Sequence, residues 1–153
     1  MLSSAAAFAA VFAALFAAHS FGDHWWGQTH TQALGKGART TRGRWHCAGH
    51  VLLLAAHKAA FLLLMQAVTG LHLSPVLLSA GLLVDAVSHY WADRRFTLAA
   101  LAQATGKGEF YRLGTDTVTA DGTPAVHLGT GAYALDQSWH IGWLFIAALI
   151  ITA

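Results

Sequence analysis

Apolar residues in this chain fall into four long runs separated by polar connectors. Residues 2–21 are almost unbroken Ala, Phe, Leu and Val, and about 20 such residues in a helix cross a bilayer. Residues 46–71 form the second run, interrupted by Gly49, His50, His57, Lys58 and Gln66, and are the weakest of the four as a span. Residues 76–91 are the third and residues 132–153 the fourth. Between the second and third, His72-Leu73-Ser74-Pro75 predicts a tight turn with Pro75 in the first turn of the next helix. Asp93-Arg94-Arg95 ends that helix, reading as an interfacial stop in contact with lipid headgroups. Residues 97–103 predict a short amphipathic helix along the surface. Residues 106–131 are rich in Gly and Thr and have no helical period, which predicts a long loop of the kind that usually carries function. The pattern predicts an all-α fold: one domain, residues 1–153, built as an integral membrane helical bundle of about four transmembrane helices.

Composition agrees. Of the 153 residues, 56% are hydrophobic and only 10% charged, with mean hydropathy +0.48. A soluble domain carries about 25% charged residues, so this surface has too few to be wetted all round. Net charge is +2 and the pI about 9.0, but no basic stripe with interleaved aromatics exists, which argues against nucleic acid. Cys47 is the only cysteine, so neither an internal disulfide nor a cysteine zinc knuckle can form, and a small buried apolar role is expected. The first run lacks the positive n-region of a signal peptide, so it is expected to stay as a span.

The distribution of charge orients the bundle. Apart from Lys58, every Lys and Arg lies in a connector, residues 22–45, or in the loop, residues 93–131. The positive-inside rule puts both on the cytoplasmic side of the inner (plasma) membrane, with both termini outside. Trp25, Trp26, Trp45, Trp91, Trp139 and Trp143 all flank the same ends, as an interfacial belt would. Membrane lipid is the expected partner; the oligomeric state is open.

Within this frame the polar residues become informative. His19/Asp23, Asp85/His89 and Asp136/His140 are each four residues apart, and His46/His50 repeat the spacing. Residues four apart share one helix face. Ionisable groups in apolar runs are costly and usually face a partner, a cavity or an ion. With four helices running up and down, His19, Asp23, His50, Asp85, His89, Asp136 and His140 all fall within roughly 5–12 Å of one membrane face. Imidazole and carboxylate are the ligands that hold zinc, manganese or iron, and facing helices of a bundle are where such sites are built. The set has room for one ion with supporting groups, or two ions. A bound cation would also relieve the repulsion among buried carboxylates. One such pair alone would read as a helix-stabilising hydrogen bond; recurrence at one depth favours a divalent metal ion, zinc first. His57, seven residues after His50, is a candidate support. Lys58 is expected to snorkel or to pair with a carboxylate. His24, His30, His72 and His127 read as ordinary interfacial or loop residues, and Gln28 and Gln137 as possible ligand orienters.

The string Ala18-His19-Ser20-Phe21-Gly22-Asp23, with Gln28 and Lys36, then His50, Ser88-His89 with Asp93, and Asp136-Gln137-Ser138-Trp139-His140, resembles a family of small bacterial and phage membrane proteins, domain of unknown function 3307. The resemblance covers nearly the whole chain. It implies a membrane location and adds Asp93 to the ligand set as the partner of His89. A looser similarity to membrane-bound metal-dependent hydrolases implies hydrolysis.

The leading functional expectation is therefore metal-dependent hydrolysis of an ester or phosphoester. His19, His50, His89, Asp93 and His140 would be ligands, and Asp23, Asp85 and Asp136 would be ligands, orienters or the general base. No Ser or Cys sits beside a His at a sharp turn, so covalent catalysis is not favoured. Proton or metal-ion transport is the alternative, but it needs polar groups right across the bilayer, and residues 5–17 and 145–153 are almost purely apolar. A third possibility is a non-enzymatic membrane interaction protein of a phage or mobile element, with the His/Asp groups acting as helix glue.

Overall fold

The structure is a computed structural model that describes residues 4–115 and 129–153. The described residues form helices joined by short connectors, with no strand. Helix α1 (Ser4–Phe21) runs straight into a π-helical turn (Gly22–Trp26), followed by α2 (His30–Gly35), α3 (Thr41–Thr69), α4 (Pro75–Asp93), α5 (Phe96–Ala104), α6 (Gly108–Arg112) and α7 (Thr130–Ile151).

Local chemistry places the breaks. Thr29 and Gln32 form a reciprocal capping box at the start of α2. The Thr40 hydroxyl accepts from the Gly43 amide at 3.0 Å and starts α3. This is five residues before the apolar run predicts, because the first turn is polar and invisible to hydropathy. Gly70, at φ 69°, ends α3 in the left-handed conformation that only glycine adopts without cost. Ser74 and Pro75 then start α4 as predicted.

Long helices α1, α3, α4 and α7 close a ring. α4 packs most extensively on α7, α1 packs on α3 and α7, and α3 packs on α4. One half of the bundle is dry: Val11, Leu15, Leu62, Leu144, Ala147, Ala148 and Ile151 form its core, with Phe8 edge-on to Phe145 at 5.2 Å. The opposite half is filled by His19, Asp23, His50, His89, Asp93 and His140, all buried. The outside is the reverse, exposing Leu52, Leu63, Leu64, Val68, Val76, Leu83 and Val87 among others. In the His/Asp half, a polar interior under an apolar exterior inverts the arrangement of a water-soluble domain.

Three segments, Ser4–Trp26, Thr41–Thr69 and Thr130–Ile151, are long and apolar enough to cross a membrane, which fits a membrane protein. The second, expected to be the weakest, is the longest and most apolar of them. α4 completes the bundle; its inward Asp85, Ser88, His89 and Asp93 dilute its apolar character.

The connectors carry more structure than the hydropathy pattern marks. Residues 22–44 hold the π-turn and α2. Arg94 and Arg95 do more than end the helix. They donate to the carbonyls of Ala38 (2.5 Å) and Ala33 (2.6 Å), pinning that connector under the end of α4. Further along, α6 occupies part of the predicted loop 106–131; residues 116–128, with His127, lie outside the described residues.

Candidate metal centre

Each long helix delivers its polar residues to the same end of the bundle. α1 brings His19 in its last turn, and the π-turn carries Asp23. α3 supplies His50, α4 supplies His89 and Asp93, and α7 supplies Asp136 and His140. His50 Nε2 lies 3.2 Å from Asp23 Oδ1, 3.0 Å from Asp93 Oδ2 and 3.1 Å from His89 Nε2. His89 Nε2 is 3.2 Å from Asp93 Oδ2. His140 Nε2 lies 3.4 Å from Asp136 Oδ1 and 3.9 Å from Asp93 Oδ1. The rings of His89 and His140 stack at 3.8 Å, and His19 rests against both, at 5.4 and 5.1 Å.

The tautomer of His50 shapes what this cluster can do. Its Nδ1 is 2.6 Å from the Gly27 carbonyl oxygen. A carbonyl only accepts, so Nδ1 carries a proton, and in the neutral form of the ring the lone pair at Nε2 turns inward. That lone pair faces two carboxylate oxygens and another imidazole nitrogen. Asp23 Oδ1, Asp93 Oδ2, His140 Nε2 and both ring nitrogens of His19 are buried without a hydrogen-bond partner among the described residues. Acceptors gathered this closely repel one another unless a cation lies among them. Two atoms each about 2.1 Å from one ion, at tetrahedral or octahedral angles, lie roughly 3.0–3.4 Å apart. The spacings around His50 fall in that range. Two buried groups, Asp23/His50/His89 and His89/Asp93/His140, can each hold a metal ion, their ligand atoms lying within 4.8 Å of one another.

Neighbouring groups hold the cluster in place. Lys36 Nζ pairs with Asp93 Oδ1 at 2.9 Å. Gln137 Nε2 donates to Asp23 Oδ2 at 3.2 Å and to Asp136 Oδ2 at 3.3 Å, an orienting role the sequence suggested. Gln28 Nε2 donates to the Asp23 backbone carbonyl at 3.0 Å. Gln28 follows Asp23 by five residues, and the π-turn, with its i to i+5 bonding, brings it back over that carbonyl. Tyr111 on α6 donates to the Arg95 carbonyl at 3.4 Å. Its hydroxyl is raised above its ordinary pKa by burial first and by the Asp136 charge second, with Arg95 opposing, so it stays protonated at neutral pH.

Asp85 stands apart from both metal-capable groups. It is buried one turn deeper than His89, where Lys58 Nζ meets its Oδ2 at 2.5 Å. Lys58 therefore pairs with a carboxylate. His57 is partly out of the bundle, with Nδ1 2.8 Å from the Leu53 carbonyl, and does not support the cluster. His46 lies against Gly35, and His24 bonds the Tyr133 hydroxyl at 2.7 Å. The Gly27 carbonyl and Lys36 were not derivable from residue pattern alone; only the family-like string pointed to Lys36. No family model, curated protein or solved structure matches the chain.

Proposed function

We propose that this chain is a membrane protein that holds a divalent metal ion inside its bundle and uses it to hydrolyse an ester or phosphoester at the cytoplasmic face of the inner membrane. The observation that carries the proposal is the approach of His50 Nε2 to Asp23, Asp93 and His89 at 3.0–3.2 Å while its Nδ1 is bonded to Gly27. Backbone bonds of that kind fix the tautomer of metal-ligating histidines. Asp23, His50, His89 and Asp93 would hold the ion, with His140, Asp136 and His19 beside it. Nitrogen and oxygen donors without thiolate suit zinc first, then manganese or iron. When bound, such an ion brings the pKa of its water to about 7 and polarises the scissile group. The chain itself orients Asp23 and Asp136 through Gln137 and balances Asp93 through Lys36. Asp136, whose side chain is 14% exposed, is the carboxylate at the rim placed to take a proton from water. Asp85, paired with Lys58, lies one turn deeper and outside the ligand set. The motif resemblance to domain of unknown function 3307 joins this reading on location and polar residues.

Protons are the competing account, with His50 doubly protonated between the two carboxylates. The dry cluster in the other half of the bundle argues against transport across it.

Metal analysis of protein purified in detergent tests the proposal. Wild type should carry about one tightly bound transition metal per chain, and His50→Ala and His89→Ala should lose it while staying helical by circular dichroism. Metal-free wild type that is folded would overturn the proposal in favour of helix glue. Loaded protein that cleaves none of a panel of chromogenic esters and phosphodiesters would remove the hydrolytic step and leave the metal site standing.

A further inference from the structure

Away from the His/Asp cluster, the outer surface of α4 carries a groove of two unlike parts. Its apolar part, about 630 Å³, runs between α4 and α7 and is lined by Leu83, Val84, Val87, Trp91, Trp139 and Trp143. Its basic part, about 690 Å³, lies at the end of α4 nearest the connector and includes Arg39, Arg44, Arg94 and Phe96. Val87 and Trp91 line both parts, so the two adjoin on the surface. Trp139 is fixed in the wall by its indole N–H, which donates to the Ser88 hydroxyl at 3.0 Å.

The basic part has unmet demand for an anion. Two guanidinium groups share one ring, Arg39 at 4.5 Å and Arg94 at 5.4 Å from the Phe96 centroid. Arg94 is 5% exposed. One of its terminal nitrogens holds the Ala38 carbonyl, while the other, Nη1, is buried with no hydrogen-bond partner among the described residues. A buried, charged donor left without a partner is costly, and guanidinium forks match phosphate oxygens. Among the described residues, no carboxylate lines this part of the groove.

We infer that this groove binds an anionic phospholipid, with its phosphate at Arg39, Arg44 and Arg94 and an acyl chain along Val87, Trp91 and Trp143. Charge at one end, an apolar trough leading from it and tryptophans at the junction match a lipid lying at a membrane interface. The inference does not rest on the metal reading, because none of the groove's arginines belongs to the His/Asp cluster.

The test is native mass spectrometry of the purified chain in detergent, titrated with phosphatidylglycerol, phosphatidylcholine or inorganic phosphate, with metal content read on the same samples. Wild type should retain one phosphatidylglycerol in preference to phosphatidylcholine. Arg39→Gln/Arg44→Gln, both exposed positions, should weaken that binding roughly thirtyfold, at about fivefold per surface arginine. Val87→Trp should block the trough and weaken both lipids while metal content stays unchanged. Equal retention of the two lipids, an unaltered preference in the double variant, or saturation by inorganic phosphate alone would overturn the inference. So would a dimer cross-linked through Leu83→Cys that excludes lipid.

Discussion

At the scale of single residues, the cluster depends on groups with no chemistry of their own. Gln137 touches two carboxylates from one amide, at 3.2 and 3.3 Å. Replacing it with Leu should keep the fold and weaken metal binding roughly tenfold to a hundredfold, as outer-shell substitutions do. A competition titration with a chromogenic chelator reads this directly. Lys58 and Asp85 illustrate a different dependence. Both are buried and 2.5 Å apart, so removing one strands the other's charge. Lys58→Met should lower stability by about 3–5 kcal/mol, and adding Asp85→Leu should recover most of it. Thermal unfolding in detergent compares the two; equal losses in the single and double variants would contradict the pairing. The recurring four-residue spacing made His19, His50, His89 and His140 legible as candidates, because helix geometry alone puts such pairs on one face. The same spacing pointed equally to Asp85, which pairs with Lys58. Its position on the face is right, but whether it meets a metal group or Lys58 depends on which residue of α3 stands opposite, and no local pattern contains that.

Among the elements, helix boundaries were legible wherever a cap or breaker marks them, as Gly70, Ser74 and Pro75 do. The π-turn was not. Residues 22–26, Gly-Asp-His-Trp-Trp, are weak helix formers that read as connector, and the widened turn is joined by contacts that come from elsewhere, including the His50 bond to the Gly27 carbonyl. α6 was hidden for a related reason: a five-residue helix between glycines has too little length for a period to register. Packing between α4 and α7 turns on one small residue. A Cβ at Gly81 would meet Ile151 Cγ1 at 2.5 Å and the Ala147 carbonyl oxygen at 2.9 Å. Gly81→Val should cost about 1–3 kcal/mol through forced separation of the two helices. Gly142→Ala on the same helix pair meets nothing within 4 Å, and should leave the melting temperature unchanged or slightly raised.

For the whole molecule, orientation is the property open to test. If both basic connectors face the cytoplasm, then in a Cys47→Ala background and right-side-out vesicles, His72→Cys should react with a membrane-impermeant maleimide and Thr31→Cys should not. The reverse labelling would invert the topology and put the centre at the other face. Sequence by itself determined that this chain is helical, that its helices are apolar outside, and that histidines and aspartates recur at one depth. These are consequences of composition and of a period of 3.6 residues, both written locally. Tertiary structure alone decided which of those groups meet: that Asp93 rather than Asp85 joins His50 and His89, that Lys36 and Gln137 reach in from distant segments, and that a backbone carbonyl sets the His50 tautomer. Those choices depend on the rotation and register of four helices against one another, which are set by steric fit between surfaces far apart in the chain.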